Sequence, residues 1–274
     1  MPEFDRQVFL DIGTAGSTGK RFSGLRQRFH VEMDDTGTPN TARIEMWNPN
    51  ADTIALLQSD DARVRLIVGY NAPQQIFFGS PIEGGVTSER MGPERVLKIE
   101  ASDGGRELAD AFVDISFETE TTMEQLFAEV VDQTGLVTGT IRLDDSVRFP
   151  NGYSFNGPAR ELMDRLALVA QDSKLRASKW FVRDGATQFI PYGETTGETA
   201  IVFSSKTKNL IGSPIATDDG IEVVGLLAPS LRPGKPLRVV SEKYNGDYTC
   251  TSLAFDGDSG FADPFYVKAK GRVR

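Results

Sequence analysis

The sequence predicts an α+β protein that is mostly β, with two β-rich regions around a small α/β unit. Three observations carry this. Strand-like runs broken by turn residues fill the chain up to residue 105. Between residues 121 and 200 the apolar period lengthens to that of a helix. From residue 201 to 274 the strand period returns. A chain of 274 residues accommodates two or three domains. At that size folding buries about 75% of the unfolded surface, so neither disulfide nor metal is needed for stability. Apolar residues at 39% and charged residues at 25% mark a folded chain rather than a disordered one.

In the first region, Val8–Ile12 and Phe29–Met33 read as strands. Ala42–Trp47 alternates cleanly, with Ala42, Ile44 and Met46 on one face and Arg43 and Glu45 on the other. The glycine- and Ser/Thr-rich stretch Gly13–Gly24 reads as a flexible loop. A short helix is expected after Trp47, capped by Asn48 with Pro49 in its first position and Ile54 and Leu57 on its apolar edge. Strands at Arg63–Tyr70, Gln75–Gly79, Gly84–Arg90 and Arg95–Ala101 complete a meander of the kind that builds a barrel or sandwich.

In the middle, Thr121 to Glu124 forms a capping-box pattern. Met123, Leu126, Phe127, Val130 and Val131 follow at helical spacing, and Gly135 supplies the stop. A second helix is expected from near Asn156–Pro158, with Ala159, Leu162, Met163, Leu166, Val169 and Ala170 as its stripe. Strands at Leu175–Val182 and Thr187–Tyr192 meet across Asp184-Gly185, a hairpin signal. In the last region a hairpin turns at Asp219-Gly220 into Ile221–Leu227, followed by strands at Leu237–Val240, Tyr248–Ala254 and Phe265–Ala269. Two β-rich regions around a helical one allow a duplicated barrel.

The search for chemistry returns no catalytic, cofactor or metal set. The glycine stretch fails as a phosphate loop. Counting back from Gly19-Lys20 reaches Thr14 where glycine is required, and Arg21 follows where Ser or Thr is required. His30, the only histidine, lies in a strand and reads as partly buried. No Gly-x-Ser-x-Gly elbow accompanies it. Cys250, the only cysteine, cannot form an internal disulfide and reads as a buried thiol. The acidic doublets Asp34-Asp35, Asp60-Asp61, Asp144-Asp145 and Asp218-Asp219 could serve a glycan hydrolase, but all fall at expected turns, where Asp bonds locally. Asp256-Gly-Asp258 is too short for a calcium loop.

The formal charge of −9 opposes tight nucleic-acid binding, although an acidic wall could line a passage along which DNA slides. Within this acidic chain, Lys20, Arg21, Arg26 and Arg28 form a local basic stretch, suited to a subunit contact or to solvation alone. The opening Met1–Arg6 carries no signal-peptide pattern, and no apolar run reaches the length of a membrane span, so a soluble protein made in the cytoplasm is expected.

The segment Phe149–Ala167, with Gly152-Tyr-Ser-Phe155 leading into a helix, resembles a recurring segment of phage tail baseplate hub proteins. The hairpin Leu175–Tyr192 follows in the same order. Asp218–Gly234, with its Leu-Leu-Ala-Pro-Ser-Leu-Arg-Pro-Gly ending, is similar to a later stretch of that family, and Asn245–Tyr248 to the turn after it. Trp47–Asn50, Val64–Tyr70 and Phe78–Ser80 fit the family's tube-like first domain.

The resemblance implies a homotrimer in which each chain contributes two tube-like β-barrel domains. The first barrel would span 1–105. The second would start over 106–120, with a strand near Val113–Phe117, and resume over 201–274 after the inserted unit of 121–200. Three chains would form a ring that joins the hexameric tail tube to the trimeric tail tip and leaves a channel for DNA. Its implied partners are the tail tube or distal tail protein, the tape measure protein and the tail-tip spike proteins, in a virion tail tip or baseplate assembled in the host cytoplasm. The resemblance brings no catalytic motif. A cell-wall glycan hydrolase or a carbohydrate-binding tail-tip module is the competing reading, although 17 Phe against two Trp favour core packing over sugar stacking.

Overall fold

The computed structural model describes residues 5–14, 16–17, 19–103, 111–135, 137–142, 147–170, 177–260 and 264–274. The described part is mostly β, with three helices. The first region holds β1 (Gln7–Thr14), β2 (Lys20–Phe22), β3 (Gln27–Asp34), β4 (Thr41–Trp47), α1 (Ala51–Leu57), β5 (Ala62–Gly69), β6 (Gln74–Met91) and β7 (Glu94–Ser102). The middle holds β8 (Phe112–Phe117), β9 (Thr121–Thr122), α2 (Met123–Thr134), β10 (Val137–Ile141), β11 (Arg148–Phe149), β12 (Tyr153–Pro158), α3 (Ala159–Val169), β13 (Ser178–Arg183) and β14 (Ala186–Pro191). The last holds β15 (Ile201–Ser204), β16 (Leu210–Thr217), β17 (Gly220–Leu226), β18 (Pro236–Val240), β19 (Asn245–Asp258) and β20 (Phe265–Val273).

One 13-stranded sheet runs through both β-rich regions in the order β16-β17-β20-β19-β3-β4-β7-β6-β5-β1-β2, with β18 branching from β19 and β15 pairing with β18. Two long strands make this possible. β6 pairs with β5 up to Gly79 and then passes to β7, bending where Gly84 takes φ 70° between Pro81 and Val86. β19 gives the first half of one edge to β18 and the second half to β3, while β20 lines its other edge.

Behind the sheet lies one continuous core. Leu10, Val64 and Leu66 belong to it together with Val31, Ile44 and Leu97 in the first region, and Phe203 and Val239 with Ile221, Phe255 and Val267 in the last. Two separately closed barrels are not seen: among the described residues the pairing is open at both ends, because β19 carries the ladder on into β3.

The α/β unit has its own core, built from Leu126, Phe127 and Val130 of α2, Leu162, Met163 and Leu166 of α3, and Trp180 and Phe189 of the hairpin β13–β14. Asp184 (φ 52°) and Gly185 (φ 78°) form that hairpin's turn, both left-handed as a two-residue type I′ turn requires. The strand expected at Val113–Phe117 exists as β8. Its partner is β12, not a strand of the large sheet, and Val113 and Ile115 pack in the unit's core. Alternation alone reveals that a strand buries one face. It does not reveal whose core receives it.

A polar seam docks the unit on the sheet. Asn40 donates from its backbone N and its Nδ2 to the two carboxylate oxygens of Asp103, both at 2.8 Å, and from Nδ2 to the carbonyl of Val182 at 3.0 Å. Burial pushes the Asp103 carboxyl up to about 7, against the lowering effect of Asn40. Arg232 pairs with Asp184 at 3.0 Å and also donates to the carbonyl of Gln75, and Lys179 pairs with Asp35.

Several local expectations shift. The first helix is capped by Asn50, whose side chain accepts from the Thr53 amide at 2.9 Å. Asn48 instead takes φ 56° and exchanges hydrogen bonds with the backbone of Arg95. The capping box uses Thr122 and Gln125 rather than Thr121 and Glu124, while the Thr121 hydroxyl donates to the Glu118 carbonyl. Asn156–Pro158 ends β12 before α3 begins, and on α3 it is Ala167, not Val169, that is buried.

The stretches Gln75–Gly79 and Gly84–Arg90 are parts of one strand. The Gly13–Gly24 stretch contains β2, paired to β1. Asn245–Tyr248 opens β19 rather than forming a turn. The hairpin after β16 turns on Asp218-Asp219, with Gly220 already in the strand. Residues 175 and 176 of the expected strand lie outside the described residues.

Candidate assembly face

Eight consecutive strands, β16-β17-β20-β19-β3-β4-β7-β6, form a sheet with the core on one side and a polar surface on the other. Alternation fixes this. In β3 the residues Phe29, Val31 and Met33 are buried while Arg28, His30 and Glu32 point outward. The outward side chains pair across the strands. Lys268 lies 3.0 Å from Glu222, Arg43 3.8 Å from Glu100 and Lys98 2.5 Å from Glu89. The surface therefore mixes both signs, with acidic partners beside its basic residues, including the row Lys268, Lys270 and Arg272 along β20.

At the centre of this face β19 meets β3, the joint between the two β-rich regions. Asp258, fully buried, receives Arg26 at 2.9 Å and Arg28 at 3.2 Å. Burial alone would raise the Asp258 carboxyl. Hydrogen bonds from Arg26, the Gly260 backbone and Arg28 outweigh it and hold the group below the usual carboxylate range. Asp256 bonds His30 Nδ1 at 2.7 Å, and Glu32 lies 3.2 Å from Nε2. Burial pulls the imidazole down, but these two carboxylates raise it above its ordinary value.

The two halves of the face repeat one pattern. Name four strands of each half in chain order: β3, β4, β6, β7 and β16, β17, β19, β20. In each half they lie in the order first, second, fourth, third. The agreement reaches single residues. β4 and β17 are both seven residues long. Thr41 pairs with Ser102 and Trp47 with Val96, and likewise Gly220 with Arg272 and Leu226 with Tyr266. The third strand of one half (β19) is joined to the first strand of the other (β3). This leaves the first strand of that half, β16, and the outer part of the third strand of the other, β6, with a free edge among the described residues. Large apolar side chains are exposed on both: Ile211 (42%) and Ile215 (61%) on β16, Ile82 (44%) and Met91 (57%) on β6.

The residues singled out in the sequence are dispersed over this frame. His30 is partly buried on the polar face. Cys250 is buried, and its thiol is pushed up by burial. Of the basic stretch, Arg21 pairs with Asp11 at 2.7 Å, Arg26 and Arg28 hold Asp258, and Lys20 lies over the Phe22 ring. The stretch therefore finds partners within its own chain while its side chains stay exposed. Asp34-Asp35 ends β3, Asp60-Asp61 lies between α1 and β5, and Asp218-Asp219 forms the β16–β17 turn. Asp144-Asp145 falls outside the described residues. No group of three or more His, Cys, Asp or Glu side chains able to hold a metal occurs among the described residues. No helix among them is long and apolar enough to cross a membrane. The free edges escaped sequence reading because an edge is defined by the absence of a neighbour.

The sequence matches no family profile and no curated protein. The fold does match solved structures. The 43 kDa tail protein of prophage MuSo2 from Shewanella oneidensis aligns over 97% of this chain and 96% of its own, with a TM-score of 0.64 at 11% identity. This is the fold of phage tail proteins. A second tail-protein structure, from Neisseria meningitidis MC58, aligns over 97% of this chain and 96% of its own, with a TM-score of 0.63 at 8% identity. The tail-protein fold also extends to the Escherichia coli c3393 protein, a type VI secretion component similar in structure to the phage T4 tail proteins gp27 and gp5. It aligns over 96% of this chain and 76% of its own, with a TM-score of 0.61 at 10% identity.

Proposed function

We propose that this chain is a structural, non-enzymatic subunit of a phage tail baseplate hub, and that its copies form a ring whose inner wall is the polar sheet face. The observation that carries this is the repeat. Within one chain, β19 of one half pairs antiparallel with β3 of the other. Applied again, the same joint places β6 of one copy against β16 of the next. Such a head-to-tail contact closes into a ring when its rotation divides a full turn. Each chain supplies two equivalent four-strand units, so a homotrimer presents six. That count lets one ring face a hexameric tube on one side and trimeric tip parts on the other.

The tube-like barrel reading belongs here as well. In each half the back strands curl behind the polar face and share its core. The partners of this reading are the tail tube or distal tail protein, the tape measure protein and the tail-tip spike proteins, in the virion tail. The wall carries charges of both signs, its basic residues Lys268 and Arg272 paired with Glu222 and Asp219, in a chain of net −9, so DNA would pass without being held.

Sedimentation velocity and negative-stain imaging of the purified chain, alone and with tail-tube protein, test the proposal. Closed rings with a central channel are expected. A species that stays monomeric under both conditions overturns it. A zymogram on purified peptidoglycan is expected to show no clearing, and clearing by the isolated chain would establish the hydrolase reading instead.

A further inference from the structure

The geometry points to a specific register for the joint between copies: Thr87 of one copy opposite Thr217 of the next, and Met91 opposite Ile211. This rests on the ring reading and adds the residues that would make it. The ladder rows supply the correspondence. Across the first half, Arg28 pairs with Glu45, Glu45 with Lys98 and Lys98 with Thr87. Across the second, Ile211 pairs with Val224, Val224 with Lys268 and Lys268 with Ala254. Arg28 therefore corresponds to Ile211, and Thr87 to Ala254. A second row runs from Glu32 to Thr41 to Ser102, and matches Thr217 to Gly220 to Arg272, so Glu32 corresponds to Thr217. A third matches Trp47, Val96 and Glu89 to Leu226, Tyr266 and Asp256, which sets Met91 level with Asp258 two residues on.

The joint inside the chain pairs Ala254 with Glu32 and Asp258 with Arg28. Transferred through the correspondence, it becomes Thr87 with Thr217 and Met91 with Ile211.

The chemistry of the transferred joint is coherent. Met91 and Ile211 are both large, apolar and exposed in the single chain, and the register covers each with the other. The two Thr residues form a favourable cross-strand pair. The two joints also differ in kind. Arg28, His30 and Glu32 of β3 correspond to Ile211, Ile215 and Thr217 of β16, where a bulge adds two residues between Ile211 and Ile215. The joint within the chain is therefore charged, and the joint between copies is neutral on the β16 side; there Glu89, level with Asp256, faces Ile215 but keeps its own ion pair with Lys98. Exchanging them would set Asp256 and Asp258 against Ile215 and Ile211 and strip both carboxylates of their partners. Unpaired desolvated charge is costly, so the difference keeps the halves alternating around the ring.

The test is disulfide trapping in the full chain. Thr87→Cys combined with Thr217→Cys places two sulfurs across the joint, and directly opposed strand residues lie within disulfide reach. The native Cys250 is buried and does not compete. Mild oxidation is expected to convert this variant into covalent oligomers on a non-reducing gel. The control Ser88→Cys with Thr217→Cys, one residue out of register and on the opposite face, is expected to stay mostly uncrosslinked.

In parallel, Met91→Lys or Ile211→Glu alone is expected to weaken assembly at least about tenfold, and the two together to restore most of it. Both positions are exposed, so the single chain should keep its circular dichroism and melting temperature. Rings that form in the unaltered chain without trapping at 87/217, or with equal trapping in the control, overturn the register and leave the ring standing. Absence of both rings and trapping overturns the two together.

Discussion

Asn40 holds both carboxylate oxygens of Asp103 and, with the same amide, reaches the Val182 carbonyl of the α/β unit. The pair sits where the chain leaves β7 for that unit, so one buried carboxyl is tied to the docking of a whole substructure.

The titration of Asp103 gives a pH dependence. Its carboxyl is raised to about 7 in the folded chain, so between the ordinary carboxylate value and about 7 the folded state holds a proton that the unfolded state has lost. Its contribution to stability is fully present at low pH and is lost as pH rises through that window, by about 4 kcal/mol at most. Urea denaturation at pH 5 and pH 8 should show the decline, and Asp103→Asn, which cannot ionise, should flatten it. An equal slope in the variant would show that Asp103 is not the source.

Asp258 behaves in the opposite sense. Its carboxyl is held below the ordinary value, so its contribution is present at neutral pH and is lost as pH falls through the depressed value. Asp258→Ala leaves Arg26 and Arg28 without their shared acceptor and should cost about 1–3 kcal/mol at pH 7, read from the urea midpoint. Arg28→Ala should cost less, because Arg26 still satisfies the buried carboxylate.

Gly37 packs against the indole of Trp180, and a Cβ at this position would meet the ring at 2.5 Å. Gly37→Ala should therefore loosen the unit from the sheet and destabilise the chain by about 1–3 kcal/mol. Limited proteolysis should then release the α/β unit faster than in the unaltered chain, with no such change for Gly24→Ala, where the space is open.

Cys250 is enclosed, and burial disfavours its thiolate. An aromatic disulfide reagent should label it only as fast as the chain unfolds, with rapid stoichiometric reaction in denaturant. Fast labelling of the folded chain would contradict the burial.

The elements most legible in the sequence are those whose pattern is local. The alternation of Ala42, Ile44 and Met46 places β4, and the stripe from Met123 to Val131 places α2, because one buried face imposes one period. The turn at Asp184-Gly185 is legible because left-handed dihedrals select those residue types. Caps drift by a residue or two, since Asn48 and Asn50, or Thr121 and Thr122, offer similar oxygens and only the surrounding packing chooses between them. Strand partners were hidden. Nothing in Val113–Phe117 announces β12 rather than the large sheet, and nothing in Gln74–Met91 announces a single strand that changes partner after Gly79. The assembly face was hidden for the same reason, since the repeat lies in strand order and not in residue identity.

The joint between β19 and β3 also governs when the molecule can finish folding. His30 and Asp256, bonded across it, are 226 positions apart in the chain. During synthesis β3 and β4 emerge early, yet one edge of β3 waits unpaired until the last strands arrive. Contacts this distant in sequence form slowly, because loop closure is paid for before any pairing rewards it. In that interval the exposed edge of β3 is open to a strand from a neighbouring chain. The charged residues along it, Arg28, His30 and Glu32, then guard a nascent chain against premature partners until Asp256 and Asp258 reach them.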